Sequence, residues 1–150
     1  MLAEKFGMEY VDRDGVKKNP YIIHRTSIGC YERTLALLIE KYAGAFPTWL
    51  APVQVKLLPI ADRHLDYLYE IKKRLEAEGI RCEVDDRSEK IGFKIRSAQL
   101  EKVPYMLLAG DKDIENGTVS VRSRKNGDEG AFNPDDFLNR IIEEIKTKAL

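Results

Sequence analysis

Only two cysteines occur in the chain, Cys30 and Cys82. They stand far apart and match neither a metal-knuckle nor a redox spacing, which excludes a disulfide scaffold or a zinc ribbon; they read as unpaired, reduced thiols. Charge of one sign is not in excess either, since 25 Lys and Arg balance 25 Asp and Glu. Proteins that grip duplex nucleic acid by bulk charge are usually basic, so any nucleic-acid partner has to be met by a local patch. Long apolar runs are missing: nothing approaches the ~20 residues of a membrane span. The first ten residues hold charges and no apolar core, so no secretory signal is visible. The expectation is a cytoplasmic protein with no membrane partner. Internal repeats and low-complexity runs are absent. The 150 residues, 43% hydrophobic and 33% charged, suit one soluble domain, or one domain plus a fragment.

What is present divides into two parts. In residues 1–45, Met8 to Val11 and Tyr21 to His24 read as short strands around the hairpin chemistry of Asp12-Arg13-Asp14-Gly15. A helix from Tyr31 to Tyr42 follows, with Gly44 as its C-cap. It is apolar on most faces and therefore asks for burial all round. A hairpin and one helix do not provide that, which points to structure upstream or to a partner chain.

In residues 46–150 strands and helices alternate. Strands are expected at Val53–Ile60, Ile80–Val84, Tyr105–Ala109 and Thr118–Ser123. Asp62 caps a helix with Leu65, Leu68, Ile71 or Lys72, and Leu75 at helical spacing, ended by Gly79. A second helix covers 89–101 with Ile91, Ile95 and Ala98 on one face. Asn116-Gly117 reads as a hairpin turn that adds one antiparallel strand. Asn133 and Pro134 open a closing helix that turns Phe137, Ile141 and Ile145 inward. The predicted fold class is α/β: a mixed, mostly parallel five-stranded sheet flanked by three helices, preceded by the hairpin and helix.

Two basic patches stand out. Arg87, Lys90, Lys94, Arg96 and Lys102 outnumber Glu89 and Glu101; Arg122, Arg124 and Lys125 form the second. The first patch begins at the C-terminal edge of a strand, where open α/β sheets bind ligands. Arg33 lies on the first turn of a helix behind Gly29, placed to meet a phosphate or a base ring. A lone His such as His24 at a strand end is usually structural. Asp111, Asp113 and Glu115 lack the Gly and terminal Glu of a calcium loop and read as turn residues. Phe46–Pro52, with the only Trp, reads as a packed hinge.

The run His24-Arg25-Thr26-Ser27-Ile28-Gly29-Cys30-Tyr31-Glu32-Arg33 resembles motif 3 of class II aminoacyl-tRNA synthetases. Phe46-Pro47-Thr48-Trp49-Leu50-Ala51-Pro52 is similar to the threonyl members. Arg87-Ser88-Glu89-Lys90-Ile91-Gly92-Phe93-Lys94-Ile95-Arg96, Val103–Leu107 and Gly110-Asp111-Lys112 resemble the anticodon-binding domain of the threonyl, prolyl, histidyl and glycyl members.

The resemblance implies that residues 1–45 end a catalytic domain and 46–150 form an anticodon-binding domain. The parent would be a larger, homodimeric ligase that charges tRNA(Thr) with threonine at the expense of ATP. Arg33 would contact ATP, and His24 would be one of three zinc ligands, the other two lying upstream. Ser88, Arg96, Lys102, Asp113 and Arg122 would read the G and U of the anticodon, and Arg87, Lys90, Lys94 and Arg124 would meet phosphates. Ser88 stands where Asn is frequent in that family, Lys102 where Arg is, and Asp113 where Glu is. Without motif 1 and the motif 2 Arg the chain alone is expected to be inactive and to hold neither ATP nor zinc tightly. The alternative is a non-catalytic anticodon-domain-like module for protein interaction or dimerisation.

Overall fold

The structure is a computed structural model and describes residues 2–150. It divides into two compact units, one ending at Leu35 and one spanning Ala36–Leu150. The first holds a short helix, Leu2–Lys5 (α1), and a hairpin of Tyr10–Val11 (β1) and Lys17–Lys18 (β2), with Tyr10 opposite Lys18. Asp12 Oδ1 accepts the Arg13 N–H at 2.7 Å and Asp14 Oδ1 accepts the Val16 N–H at 3.0 Å. The Lys18 ammonium bonds both carboxylates. These turn contacts close the ladder early, so the strand expected at Tyr21–His24 does not form: Tyr21 and Ile23 are 93% and 90% exposed. The helix Tyr31–Tyr42 (α2) runs from one unit into the other and has no buried residue. Gly44, at φ +77°, ends it by donating to the Ile39 carbonyl at 3.2 Å.

The second unit is built on a five-stranded mixed sheet. Its strands are Val55–Pro59 (β3), Cys82–Val84 (β4), Tyr105–Ala109 (β5), Val119–Ser123 (β6) and Gly127–Phe132 (β7), in the spatial order β4-β3-β5-β6-β7. β3 pairs parallel with β4 and β5, while β5–β6 and β6–β7 are antiparallel. Every residue of β3 is buried, as a central parallel strand requires. Even Lys56 is covered, and its ammonium reaches Glu101 and, at 3.9 Å, Glu83.

One sheet face carries the larger core. Val55, Leu57, Leu107, Val119 and Val121 meet Leu68, Ile71 and Leu75 of Leu65–Ala77 (α3) and Phe137 and Ile141 of Pro134–Thr147 (α6). On the other face Leu58 and Met106 meet Ala98, Ile91 and Ile95 of Ile91–Leu100 (α4). The Asn133 side chain caps α6 by accepting the Asp135 N–H at 2.9 Å.

Three local expectations are corrected. Asp62 does not cap α3: residues Asp62–His64 form a 3-10 turn first, and its preceding residue is Ala61. Asn116-Gly117 is not a hairpin turn. Asp111–Asn116 form a short helix (α5), and Gly117, at φ +63°, caps its end in the left-handed conformation. The antiparallel part of the sheet is two strands, β6 and β7, so parallel and antiparallel pairings are equal in number. β7 (GDEGAF) has neither apolar alternation nor branched residues to announce it.

Phe137 is fully buried, and its ring meets Tyr105 edge-on at 5.4 Å. Phe137→Ala is expected to cost about 3–5 kcal/mol of stability, read as a lower midpoint in urea at unchanged slope. A loss below about 1 kcal/mol would mean that α6 closes over the gap.

Candidate nucleic-acid interface

The parallel strands β3, β4 and β5 all end at one edge, and the loops that leave them bring the polar groups together. Beyond β4, Asp85 donates its backbone N–H to the Leu57 carbonyl at 2.9 Å, and its side chain is 2% exposed. It accepts two bonds from the Arg87 guanidinium, 2.8 Å from Nε and 2.6 Å from the outer nitrogen. Arg87 is thereby held in one orientation, with its central carbon 5.6 Å from the Phe93 ring centroid. These bonds hold the Asp85 carboxyl below its usual pKa of 3.8, against the opposing effect of burial. Ser88, Lys90 and Arg96 are exposed.

Lys94 is not an exposed contact. It is 3% exposed, and its ammonium donates to the Pro59 carbonyl at 3.3 Å. It therefore supports the end of β3 from beneath.

Beyond β5, Gly110 precedes α5 close to Ile60, whose Cδ1 would lie 2.9 Å from a Cβ placed there. Asp113 reaches back to accept the Gly110 N–H at 2.9 Å and accepts the Ser120 hydroxyl at 3.0 Å. Its neighbour Asp111 ties this loop to the one after β3. Arg63 Nε donates to Asp111 at 2.8 Å, and the buried His64 meets the same carboxylate at 2.9 Å. His64 Nδ1 accepts the Ala61 N–H at 3.0 Å, so its Nε2 carries the proton given to Asp111. Bonds from Arg63 and then His64 hold the Asp111 carboxyl well below the usual carboxylate range.

Ser120 and Arg122 lie on the α4 side of the sheet, because their neighbours Val119 and Val121 face the larger core. They sit opposite Leu108 and Met106. The ladder is irregular between Val121 and Arg122, a feature that re-aims side chains at functional edges. Arg122 Nε is buried without a hydrogen-bond partner, one of two such side-chain atoms among the described residues. Buried donors are normally satisfied within the fold, so this atom stands out.

Other expected residues lie apart. Lys102 sits before β5, at the opposite end of the strand, and donates to the Ala43 carbonyl. The Arg124 guanidinium is occupied by the carbonyls of Lys102 and, at 2.7 Å, Phe46. His24 and Arg33 are exposed in the other unit. Among the described residues no three or more His, Cys, Asp or Glu side chains form a metal-holding group. Sequence reading did not find His64, Asp85, Asp111 or Ser120 as parts of the site. A Asp62-Arg63-His64 turn facing an acidic helix start was the available signal.

The arrangement is a mixed α/β domain with polar groups gathered at the carboxyl edge of its parallel strands and on the α4 side of β6. Its sequence matches the model of the anticodon binding domain family over residues 54–144, and the chain belongs to that family. It is 63% identical over 147 residues to the threonine–tRNA ligase of Clostridium perfringens strain 13, covering 98% of this chain and 23% of that protein. The threonine–tRNA ligases of Acetivibrio thermocellus and Caldanaerobacter subterraneus subsp. tengcongensis are 58% and 52% identical, each again covered over 23% of its length. The chain thus spans less than a quarter of these curated relatives. The crystal structure of the RNA binding domain of threonyl-tRNA synthetase from Cryptosporidium parvum Iowa II is similar with a TM-score of 0.73 at 28% identity. That match covers 95% of this chain and 36% of the other.

Acid should loosen the Asp85–Arg87 pair. Because the folded-state pKa of Asp85 is depressed, its contribution is present above pH ~4 and is lost as pH falls through the lowered value. Asp85→Asn is expected to flatten the stability–pH curve below pH ~4, measured by denaturant melts at stepped pH. An unchanged acid limb would show that Asp85 titrates alike in the folded and unfolded chains.

Proposed function

We propose that this chain binds the anticodon loop of a threonine-accepting tRNA and reads its bases one by one. The observation that carries the reading is the match to the anticodon binding domain over residues 54–144, with half-buried Arg122 two residues along β6 from the Asp113–Ser120 pair. RNA is read in sequence where its bases are unstacked and their edges are free. A guanidinium offers paired donors to base acceptors such as O6 and N7 of guanine, and a carboxylate accepts from the N–H groups of guanine's pairing edge. Arg122 and Asp113 supply these two complements. Ser88 and Arg96 stand exposed to meet further base edges, and Arg87 and Lys90 to meet phosphates. Lys94 positions the Pro59 carbonyl, and Lys102 and Arg124 hold the chain at residues 43–46, so none of these three is assigned a base.

The relatives, all threonine–tRNA ligases, support a place for this chain in such a ligase, which we read as a cytoplasmic homodimer that uses ATP and threonine. In it, residues 1–45 belong to the catalytic domain and 46–150 to the anticodon-binding domain. Arg33, exposed on the first turn of α2, would there face ATP. His24 would there be one of three protein ligands to a zinc ion.

Titration of the chain with the anticodon stem-loop of a threonine tRNA, followed by amide shifts, tests the reading. Shifts concentrated at Ser88, Asp113 and Arg122 are expected, and a stem-loop with the anticodon G and U replaced should bind about 10-fold or more weakly. Arg122→Ala should remove about 1–3 kcal/mol of that preference. Equal, diffuse shifts with both RNAs would reduce the contact to phosphate attraction and overturn the proposal.

A further inference from the structure

We propose that Phe93, with the Arg87 guanidinium fixed against it, is a stacking platform for one unpaired nucleobase of the RNA loop. This rests on the anticodon-reading function proposed above and adds a binding residue of a different kind, one that holds a base by its face. The buried stripe of α4 runs through Ile91, Lys94, Ile95 and Ala98. Phe93 falls off that stripe and is 49% exposed. A large ring left half in water next to exposed Ser88 and Lys90 has surface to give to a ligand.

Arg87 makes the ring more than a stray apolar residue. Its guanidinium lies 5.6 Å from the ring centroid and is anchored by two bonds to Asp85, a carboxylate that is 2% exposed and itself tied to β3. The planar groups are therefore ordered before any ligand arrives, which lowers the entropy lost on binding. RNA bases that leave the stack settle on aromatic rings or on guanidinium planes. Here both surfaces adjoin, at the same sheet edge as the groups proposed to read base edges. The occupant is a nucleobase of the loop held by stacking, with little dependence on its identity.

The test uses the whole chain and the threonine anticodon stem-loop. Upfield ring-current shifts of one loop base, and contacts from that base to the Phe93 ring protons, are expected in the complex. Phe93→Leu keeps an apolar side chain but removes the ring. It should raise Kd about 5- to 100-fold and abolish the ring-current shift while keeping the preference for the cognate anticodon. Phe93→Tyr should restore both affinity and shift. Thermal melts of the free variants separate loss of fold from loss of stacking. A Phe93→Leu variant that binds with unchanged Kd, or a wild-type complex without the shift, would overturn the platform while leaving anticodon reading intact. Wild-type protein that does not distinguish the two stem-loops would instead overturn the reading beneath it.

Discussion

Burial of β3 on both faces is the constraint on which the rest depends. Val55 and Leu57 enter one core and Leu58 the other, and the strand lies between two parallel neighbours. That choice fixes the direction of β4 and β5 and makes three strand ends coincide. The 3-10 turn after β3, the Asp85–Arg87 loop after β4 and the start of α5 after β5 then share one edge. The Arg63–Asp111 and His64–Asp111 contacts, which join the loops after β3 and β5, depend on these two strands ending together.

At that edge the acids act mainly as holders of cations. Asp85 fixes Arg87, and Asp111 fixes Arg63 and engages His64. Arg63–Asp111 is exposed on both sides, and such pairs contribute little to stability. Its effect is geometric: it joins the turn after β3 to the helix that carries Asp113. In this way a chain of zero net charge holds Arg87 and Arg63 in fixed positions at that edge. Asp85 and Asp111 are each tied to an arginine, so they repel an approaching anion less than free carboxylates would.

Periodicity made the helices legible. Leu68, Ile71 and Leu75 in α3, Ile91, Ile95 and Ala98 in α4, and Phe137 and Ile141 in α6 all face cores as their spacing predicts. Elements without such spacing escaped. β7 is polar and glycine-rich and exists because β6 offers it a ladder. α5 has six residues, too few to show a stripe, and its closing Asn116-Gly117 imitates a hairpin turn. Tyr21–His24 looked like a strand by residue type, but strand formation needs a partner ladder. The site divides in the same way. Exposed Arg87, Ser88, Lys90 and Arg96 were visible as a basic run. The burial of Lys94 and the His64–Asp111 bond are tertiary facts, set by partners more than thirty residues away.

The cations that proved absent from the reading edge explain the unit boundary. The last carbonyls of a helix have no partner within it. Lys102 donates to the carbonyl of Ala43, just beyond α2, and Arg124 to that of Phe46. Tyr42 also meets Phe46 edge-on at 6.1 Å. These contacts draw the end of α2 into the sheet unit, which is why the compact unit begins at Ala36, before the hinge expected near residue 46. Basic residues thus serve two ends of the same sheet. At the amino end of β5 they are used up on backbone carbonyls and fasten the preceding helix. At the carboxyl end they are held by buried or paired acids with donors to spare. There Arg87 stays half exposed while the carboxylate that holds it is buried, so its charge is both ordered and accessible.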